Sequence, residues 1–211
     1  MSLFITFEGG EGCGKSMQSK SLYRRLSSLA IPAVLTHEPG GTPLGKGISH
    51  WLKWTQNKDI SPLGELLLFN ASRAQLTDKV IQPNLKSGKV VLCDRYADST
   101  TAYQGYGRGL NLETVNEANN FATQGLKPDL TVLLDLPVET GLARKNAQRR
   151  DRFEQENTAF HQRVREGYLK LAANEPGRWL VVDASQSRAK ISQIIWEKVR
   201  QLLSQRGLRH E

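Results

Sequence analysis

The sequence predicts an α/β fold, namely a doubly wound parallel sheet of five strands flanked by helices. Short runs rich in Val, Leu and Ile alternate along the chain with longer helical patterns. These runs do not alternate apolar with polar residues, as is typical of strands that are covered on both faces. Four of the five runs end at an acidic residue. Because ligands of such sheets bind beyond the carboxyl ends of the strands, we expect the functional residues there.

Five strands and seven helical patterns follow one another from end to end. Strands are expected at Leu3–Glu8, Ala33–His37, Lys89–Asp94, Leu130–Asp135 and Trp179–Asp183. Helices are expected at about Lys15–Ala30, Pro43–Thr55, Leu63–Lys86, Leu112–Thr123, Val138–Gln148, Thr158–Ala173 and Ser187–Gln205. The helical stretches are long enough to form the crossovers that parallel strands need.

Length and composition indicate a single domain over residues 1–211. Of the 211 residues, 38% are hydrophobic and 24% are charged, so the chain can bury a core and is not disordered by composition. The two cysteines, Cys13 and Cys93, have neither the number nor the spacing of a disulfide framework or a zinc site, which indicates reduced thiols.

The apolar runs are too short for a membrane protein. None approaches the roughly 20 residues that cross a bilayer. The N-terminal run meets Glu8 without the basic segment that precedes the apolar part of a signal peptide. We therefore expect a cytoplasmic protein that has no membrane partner.

The net charge of +8 is concentrated in the last third of the chain. Residues 142–211 hold 15 Lys and Arg against 8 Asp and Glu, whereas residues 1–141 hold 14 against 13. A basic segment at about residues 144–156 contains Arg144, Lys145, Arg149, Arg150 and Arg152. This segment is either a solvated helix face with salt bridges or a mobile basic lid that closes over phosphates.

A phosphate-binding loop is the motif on which the functional prediction rests. Residues 9–16, Gly-Gly-Glu-Gly-Cys-Gly-Lys-Ser, match G-x-x-x-x-G-K-[ST] between a predicted strand and a predicted helix. Glycines let successive backbone N–H groups point at one anion, and the helix N-terminus adds partial positive charge. Lys15 would reach the β- and γ-phosphates, and the Ser16 hydroxyl would help to hold Mg²⁺. The expected residues of the nucleotide site are Gly9, Gly10, Glu11, Gly12, Cys13, Gly14, Lys15, Ser16 and Met17.

The loop alone leaves several classes of nucleotide-binding protein open. ATPases, GTPases, helicases and small-molecule kinases all bind a nucleoside triphosphate in this way. The chain lacks an Asn-Lys-x-Asp element of the kind that binds guanine, and 211 residues are short for a helicase. A kinase that acts on a small molecule fits the length. A non-catalytic phosphate-loop protein or a basic nucleic-acid binder is the alternative from another class.

Further motifs resemble those of bacterial thymidylate kinases over essentially the whole chain. They are Phe7-Glu8-Gly9, Glu38-Pro39-Gly40-Gly41-Thr42, Phe69-Asn70-Ala71-Ser72-Arg73, Asp94-Arg95-Tyr96, Ala102-Tyr103-Gln104, Asp151-Arg152-Phe153-Glu154 and Asp183-Ala184-Ser185. The resemblance implies the fold of a P-loop nucleoside monophosphate kinase, and transfer of the γ-phosphoryl group of ATP to dTMP, giving dTDP and ADP for dTTP synthesis. It also implies ATP as co-substrate, Mg²⁺ as cofactor, no nucleic-acid partner and a homodimer. A kinase for another nucleoside monophosphate or a deoxynucleoside is the alternative within the same class.

The same resemblance assigns roles to individual residues. The expected catalytic residues are Lys15, Asp94, Arg95, Arg149 and Arg152, with Ser16 and Asp94 at the metal. The expected dTMP-binding residues are Glu11, Glu38, Pro39, Phe69, Arg73, Arg95, Ser99, Thr100, Tyr103 and Gln104. Arg95 would bind the phosphate of dTMP, because its planar fork holds two oxygens at once. Phe69 would stack on thymine, and Arg73 would donate to the carbonyl edge of the base. Asp183 belongs to a loop that would hold adenine or cap the following helix.

The family also implies contacts with the sugar, and the chain departs from the family at two positions. Glu11 would accept a hydrogen bond from the 3′-hydroxyl, and Tyr103 would crowd out a 2′-hydroxyl. Gly12 replaces an arginine that one branch of the family carries in the loop, so we expect the lid arginines to supply the missing charge. His37 replaces the arginine usual before Glu-Pro-Gly-Gly-Thr, which would make a phosphate contact there weaker or pH-dependent. The resemblance implies a cis bond before Pro39 as well.

Overall fold

The structure, a computed structural model, describes residues 2–54, 60–145 and 150–207, which contain one five-stranded parallel sheet. The strands are β1 Leu3–Glu8, β2 Ala33–His37, β3 Val90–Asp94, β4 Leu130–Asp135 and β5 Trp179–Asp183. Their order across the sheet is β2-β3-β1-β4-β5, and every neighbouring pair is parallel. The predicted fold class is confirmed, and the strand bounds differ from the prediction only at residue 89.

Helices connect the strands in the described residues. They are α1 Lys15–Ser28, α2 Pro43–Trp54, α3 Pro62–Leu76, α4 Gln82–Lys86, α5 Ala97–Thr100, α6 Leu112–Thr123, α7 Val138–Ala143, α8 Thr158–Asn174 and α9 Arg188–Gln205. The long helix expected at residues 63–86 is interrupted by a π-helical turn at Thr77–Ile81. The expected helical residues 55 and 146–148 lie outside the described residues. None of the helices that the structure describes is long and apolar enough to span a membrane.

A second π-helical segment, Thr101–Gly107, continues α5 where the sequence predicts no helix. Its glycines disfavour a helix intrinsically. Gly107 is required because α8 lies very close: a Cβ atom there would be 2.7 Å from Phe160 Cε2. From the other side, a Cβ atom at Gly167 of α8 would be 2.6 Å from Tyr106 Cδ2. Packing against α8 therefore stabilises a segment whose local propensity is poor.

Apolar side chains cover both faces of the sheet. β1, β3 and β4 are buried along nearly their whole length, which explains why they read as continuous apolar runs. One core layer joins α1 and α9 to the sheet through residues such as Leu26 and Val199, and another includes Phe160 and Tyr168 of α8. Since β1 lies between β3 and β4, the loop after β1 opens beside the ends of both strands.

Candidate active site

A cavity of about 1180 Å³ lies beyond the carboxyl ends of β1, β2 and β3, where the sequence predicts the functional residues. Its wall brings together Glu11, Gly12, Cys13, Gly14, Lys15, Ser16, Met17, Glu38, Pro39, Phe69, Arg73, Asp94, Arg95, Ser99, Thr100, Tyr103 and Gln104. The predicted lid contributes Arg144, Lys145, Asp151, Phe153 and Glu154. Residues that are far apart in the sequence therefore face one space.

The phosphate loop turns tightly between β1 and α1. Gly12 has a φ of 66°, a conformation that favours glycine. A Cβ atom there would also lie 2.1 Å from the carbonyl oxygen of Gly141 in α7. The Lys15 ammonium is buried and donates to the carbonyl oxygens of Gly9 at 3.0 Å and Gly10 at 2.7 Å. Lys15 thus lies over its own loop at the N-terminus of α1, where an anion is favoured.

Ser16 and Asp94 form the part of the cavity wall suited to a metal ion. The Ser16 hydroxyl donates a hydrogen bond to Asp94 Oδ2. The parallel pairing of β1 with β3 brings the two together, because Ser16 follows β1 and Asp94 ends β3. Both offer hard oxygen ligands, and Mg²⁺ usually takes only one or two protein oxygens besides phosphate and water. No group of three or more His, Cys, Asp or Glu side chains suited to a metal occurs in the described residues. The pair fits the predicted Mg²⁺ site.

Arg95 follows β3 in a left-handed backbone conformation, with a φ of 69°. Its N–H donates to the carbonyl oxygen of Phe7 at 3.0 Å, which ties this turn to β1. Guanidinium Nη1 donates to the carbonyl oxygen of Gly9 at 3.1 Å. Nη2 donates to the Glu11 carboxylate at 2.8 Å and to the Tyr103 hydroxyl at 3.2 Å. The planar fork is therefore held beside the phosphate loop. Its bidentate contact with a phosphate stays a prediction, and it requires Arg95 to exchange some of these acceptors for phosphate oxygens.

Glu11 is the carboxylate among these cations. Burial alone would raise its pKa, but the charges of Arg95 and Lys15 outweigh burial and hold the pKa well below its usual range. Glu11 is therefore ionised at neutral pH. Lys145 of the predicted lid lies 3.7 Å from this carboxylate and 2.6 Å from the carboxylate of Glu154. Charge pairs thereby join the phosphate loop to the lid.

Glu8, a fully buried carboxyl at the end of β1, supports the turn at Arg95. It accepts hydrogen bonds from the Tyr96 N–H at 2.7 Å, the Ser99 hydroxyl at 2.5 Å and the Tyr168 hydroxyl at 2.9 Å. Arg95 Nη1 donates to the same two hydroxyls at 3.3 Å each. Burial raises the pKa of Glu8 to about 7, against the opposing charge of Arg95. The carboxyl therefore changes protonation near neutral pH.

Aromatic side chains form another wall of the cavity. The rings of Phe69 and Phe153 lie 5.6 Å apart between centroids, and those of Tyr103 and Phe153 lie 6.2 Å apart. Burial raises the pKa of the Tyr103 hydroxyl well above its usual value, so the hydroxyl stays protonated and donates to Glu11 at 2.7 Å. Rings of this size offer a planar base a large apolar contact.

Arg73 is buried, and its guanidinium is surrounded by protein acceptors. It pairs with Glu38 through Nε at 3.1 Å and through Nη2 at 2.5 Å. Nη1 donates to Asn70 at 3.1 Å, to Thr100 at 2.9 Å and to Asn119 at 2.7 Å. Donation from Arg73 to the carbonyl edge of a base stays a prediction, and it requires one of these acceptors to be exchanged for the base.

The segment after β2 also lines the cavity. The Glu38–Pro39 peptide bond is cis, as the resemblance implies. Burial raises the pKa of Glu38, although the charge of Arg73 acts in the opposite direction. Burial lowers the pKa of His37, so its imidazole is mostly neutral at pH 7 and supplies little positive charge there.

Arg152, in the described part of the predicted lid, lies against α2 and α3. Its Nε donates to the carbonyl oxygen of Leu52 at 2.9 Å, and Nη2 donates to the Glu65 carboxylate at 2.5 Å. Contact of Arg152 with ATP, which is expected on lid closure, stays a prediction. The other predicted lid arginine, Arg149, lies outside the described residues.

The loop after β5 contributes Ala184, Gln186, Ser187 and Arg188 to the cavity wall. The Asp183 carboxylate accepts a hydrogen bond from the backbone N–H of Ser185 at 2.9 Å. The N-cap of α9 is Ser187, whose hydroxyl accepts from the N–H of Lys190. Asp183 therefore does not cap the helix, and its role at adenine stays a prediction.

Three buried residues outside the predicted set organise this site: Glu8, Glu65 and Tyr168. The sequence could have indicated Glu8, because an acidic residue ends a buried strand directly before the phosphate loop. Tyr168 lies in α8, 160 positions from Glu8, and its spacing with Val164 and Ala172 is that of an ordinary core face. No local pattern indicates its hydrogen bond to Glu8.

The fold and the site define a class of protein. A phosphate loop after the central strand places Lys15 in a cavity, and a second cation, Arg95, enters the same cavity from the neighbouring strand. A phosphate loop and a second cation that line one cavity are typical of a P-loop kinase that acts on a nucleoside monophosphate.

Comparison with known proteins identifies the family. The family model described as thymidylate kinase matches residues 7–195. The thymidylate kinase of Dehalococcoides mccartyi strain 195 is 58% identical over 203 residues, covering 96% of this chain and 98% of that protein. The thymidylate kinase of Geotalea daltonii is 52% identical over 191 residues, covering 87% of this chain and 89% of that protein. A crystal structure of thymidylate kinase from Ehrlichia chaffeensis has a TM-score of 0.77 at 32% identity, covering 94% of this chain and 98% of that one.

The chain belongs to the thymidylate kinase family. The resemblance drawn from the sequence motifs is thereby confirmed, and so is the assignment to the ATP-dependent kinases.

Proposed function

We propose that this protein transfers the γ-phosphoryl group of ATP to dTMP, forming dTDP and ADP. Membership of the thymidylate kinase family supports the reaction. The structural observation that carries it is the convergence of two cations on one atom. The carbonyl oxygen of Gly9 accepts from the Lys15 ammonium at 3.0 Å and from the Arg95 guanidinium at 3.1 Å. Phosphoryl transfer needs two anions aligned and their charge neutralised, so Lys15 serves ATP and Arg95 serves dTMP.

On the ATP side, the loop backbone and the N-terminus of α1 bind the β- and γ-phosphates. Lys15 exchanges its carbonyl contacts for phosphate oxygens. Ser16 and Asp94 hold Mg²⁺, which neutralises phosphate charge when bound. The loop at Asp183 contacts adenine.

On the dTMP side, Arg95 binds the phosphate while Phe69 stacks on the thymine ring. Glu11 accepts a hydrogen bond from the 3′-hydroxyl, which requires the ionised carboxylate that the surrounding cations maintain. Tyr103, held by its hydrogen bond to Glu11, fills the space of a 2′-hydroxyl. The amide oxygen of Gln104 accepts the N3–H of thymine. Glu38, Pro39, Arg73, Ser99 and Thr100 complete the wall around the nucleotide.

We further propose that residues 144–156 act as a lid on a single domain. The charge pairs of Lys145 with Glu11 and Glu154 already connect this segment to the phosphate loop. On closure, Arg149 approaches the ATP phosphates, and Arg152 exchanges its contact with Glu65 for a phosphate oxygen. The two arginines then supply the charge that Gly12 does not provide. A closed lid also keeps water from the γ-phosphate.

We also propose that the protein acts as a homodimer in the cytoplasm, as the family resemblance implies. Helix α3 packs between α2 and α6, and these three helices expose large apolar side chains: Leu44, Trp51, Trp54, Leu63, Leu67 and Phe121. An exposed apolar face of this kind marks a protein interface. Sedimentation velocity should show a dimer that Leu67→Glu weakens and Leu169→Glu, an exposed control on α8, leaves intact. A monomer at all concentrations would contradict the assignment.

A substrate panel tests the proposed reaction. ADP release from ATP is measured with dTMP, dUMP, dCMP and thymidine, with and without Mg²⁺. We expect the highest kcat/KM for dTMP and no turnover without the metal. Lys15→Ala, purified in the same way, gives the background from contaminating kinases. Preference for dCMP or thymidine would favour the alternative kinase, and absence of ADP release with every acceptor would refute the proposal.

A further inference from the structure

Glu65 is a fully buried carboxylate in the first turn of α3. It lies four residues before Phe69 and therefore on the same helical face, which continues to the proposed thymine contact. Three side chains donate to it. Gln104 Nε2 donates to Oε1 at 2.7 Å, Arg108 donates to both oxygens at 3.2 and 3.3 Å, and Arg152 donates to Oε2 at 2.5 Å. The carboxylate thus connects the lid to the wall of the base pocket.

The charges around Glu65 keep it an acceptor. Arg108 also pairs with Glu156 at 2.6 Å and lies over the Phe160 ring at 4.7 Å. Two carboxylates, Glu65 and Glu156, therefore balance two guanidinium groups, Arg108 and Arg152. A guanidinium group has no acceptor atom, and Arg108 donates to both oxygens of Glu65, so the carboxylate serves as the acceptor in these contacts.

The hydrogen bond between Gln104 and Glu65 sets the orientation of the Gln104 amide. Because Glu65 can only accept, the NH₂ group of Gln104 must face it, and the amide oxygen must point the other way. Gln104 is 1% exposed and lines the cavity. Its Oε1 is buried and has no hydrogen-bond partner among the residues that the structure describes. A buried acceptor without a partner is unfavourable, so a base that packs against Gln104 in the cavity and donates a hydrogen bond to this oxygen would remove the cost.

We propose that Glu65 is a specificity-determining residue that selects the base through Gln104. By holding the amide oxygen toward the nucleotide, it favours bases that present an N–H at ring position 3, as thymine and uracil do. Cytosine presents a lone pair at that position, so two acceptors would face each other. Glu65 acts through Gln104 and is a positioning residue. The inference rests on the proposed function, since it requires the base of dTMP to lie beside Gln104.

Glu65→Gln tests this role, because an amide at position 65 can accept as well as donate and so lets Gln104 turn over. We expect the ratio of kcat/KM for dTMP to that for dCMP to fall at least about tenfold. The ratio for dTMP to dUMP should not change, because both bases present the same edge. A general disturbance of the pocket would move both ratios.

Two further variants separate the role from an effect on folding. Glu65→Asp keeps a negative charge near Arg108 and Arg152, but its shorter side chain moves the carboxylate away from Gln104. We expect this folded variant to have a lower ratio of kcat/KM for dTMP to that for dCMP. Arg108→Lys disturbs the same carboxylate and leaves the Gln104 contact, so it should keep the ratio. Circular dichroism checks that each variant is folded, and Glu65→Asp carries the test if Glu65→Gln does not fold.

The outcomes distinguish this inference from the reaction itself. If the unaltered enzyme prefers dTMP and the folded Glu65 variants keep its dTMP to dCMP ratio, the role of Glu65 is refuted while the reaction stands. An equal fall of the ratio in Arg108→Lys would also refute it. If the unaltered enzyme does not prefer dTMP to dCMP, the proposed reaction fails and the role of Glu65 fails with it.

Discussion

Glu8 should make the stability of this protein depend on pH near neutrality. Its carboxyl is fully buried, and its pKa is raised from an ordinary value of 4.5 to about 7. Below about pH 4.5 the carboxyl is protonated in the folded and the unfolded chain alike. Between pH 4.5 and 7 the unfolded chain loses this proton while the folded chain keeps it. The free energy of unfolding therefore decreases as the pH rises from 4.5 to about 7. Above that pH, the contribution of Glu8 no longer changes.

The size of the effect follows from the two pKa values. One pKa unit corresponds to about 1.4 kcal/mol, so the full difference is about 3 kcal/mol, and most of it falls between pH 5 and pH 8. Glu8→Gln has no proton to lose and removes this contribution. We expect the free energy of unfolding of the unaltered protein, relative to that of Glu8→Gln, to fall by about this amount across that range.

Urea unfolding followed by circular dichroism at pH 5, 6, 7 and 8 measures the difference. Glutamine cannot make all the hydrogen bonds of Glu8, which adds a constant to the difference in free energy of unfolding. The test is therefore how this difference changes with pH, not its absolute value. A difference that stays constant or grows with pH would show that Arg95 keeps Glu8 ionised and that burial does not raise its pKa.

Two substitutions test the phosphate-binding parts of the site. Arg95→Lys should lower kcat/KM for dTMP by about 100-fold with little change in KM for ATP, because it removes about two charged hydrogen bonds of about 1.5 kcal/mol each. Steady-state kinetics check this. An unchanged kcat/KM for dTMP would show that Arg95 does not bind the dTMP phosphate. Gly12→Ala should lower Tm by about 5 °C and raise KM for ATP, because its Cβ would overlap the carbonyl oxygen of Gly141. Gly10→Ala, with open space around the new atom, is the control for Tm, and equal Tm values would contradict this reasoning.

The parts of the site that were predicted from the sequence are local in the chain. The phosphate loop is one contiguous motif between a strand and a helix, so its conformation and the position of Lys15 follow from neighbouring residues. The same holds for the strand ends that carry Asp94 and Arg95, because parallel strands bring their carboxyl ends to one edge. The resemblance to thymidylate kinases placed Phe69 and Tyr103 at the same cavity.

Contacts between distant side chains could not be predicted in this way. Arg73 shares a helical face with Phe69, as its spacing indicates, yet the structure surrounds its guanidinium with Glu38, Thr100 and Asn119 from other elements. From the sequence, Glu65 is a charged residue in the first turn of a helix. It is buried only because Arg152 and the π-helical segment pack against α3.

The sequence by itself determined the fold class, the strand positions, the phosphate loop and the family. These depend on periodicity and on contiguous motifs, which short-range sterics and hydrogen bonding turn into structure. Tertiary structure alone decided the helical form of residues 97–107, the protonation of Glu8 and the orientation of the Gln104 amide. Each of these depends on groups far away in the chain, because burial and charge act through space and are set only when the elements pack.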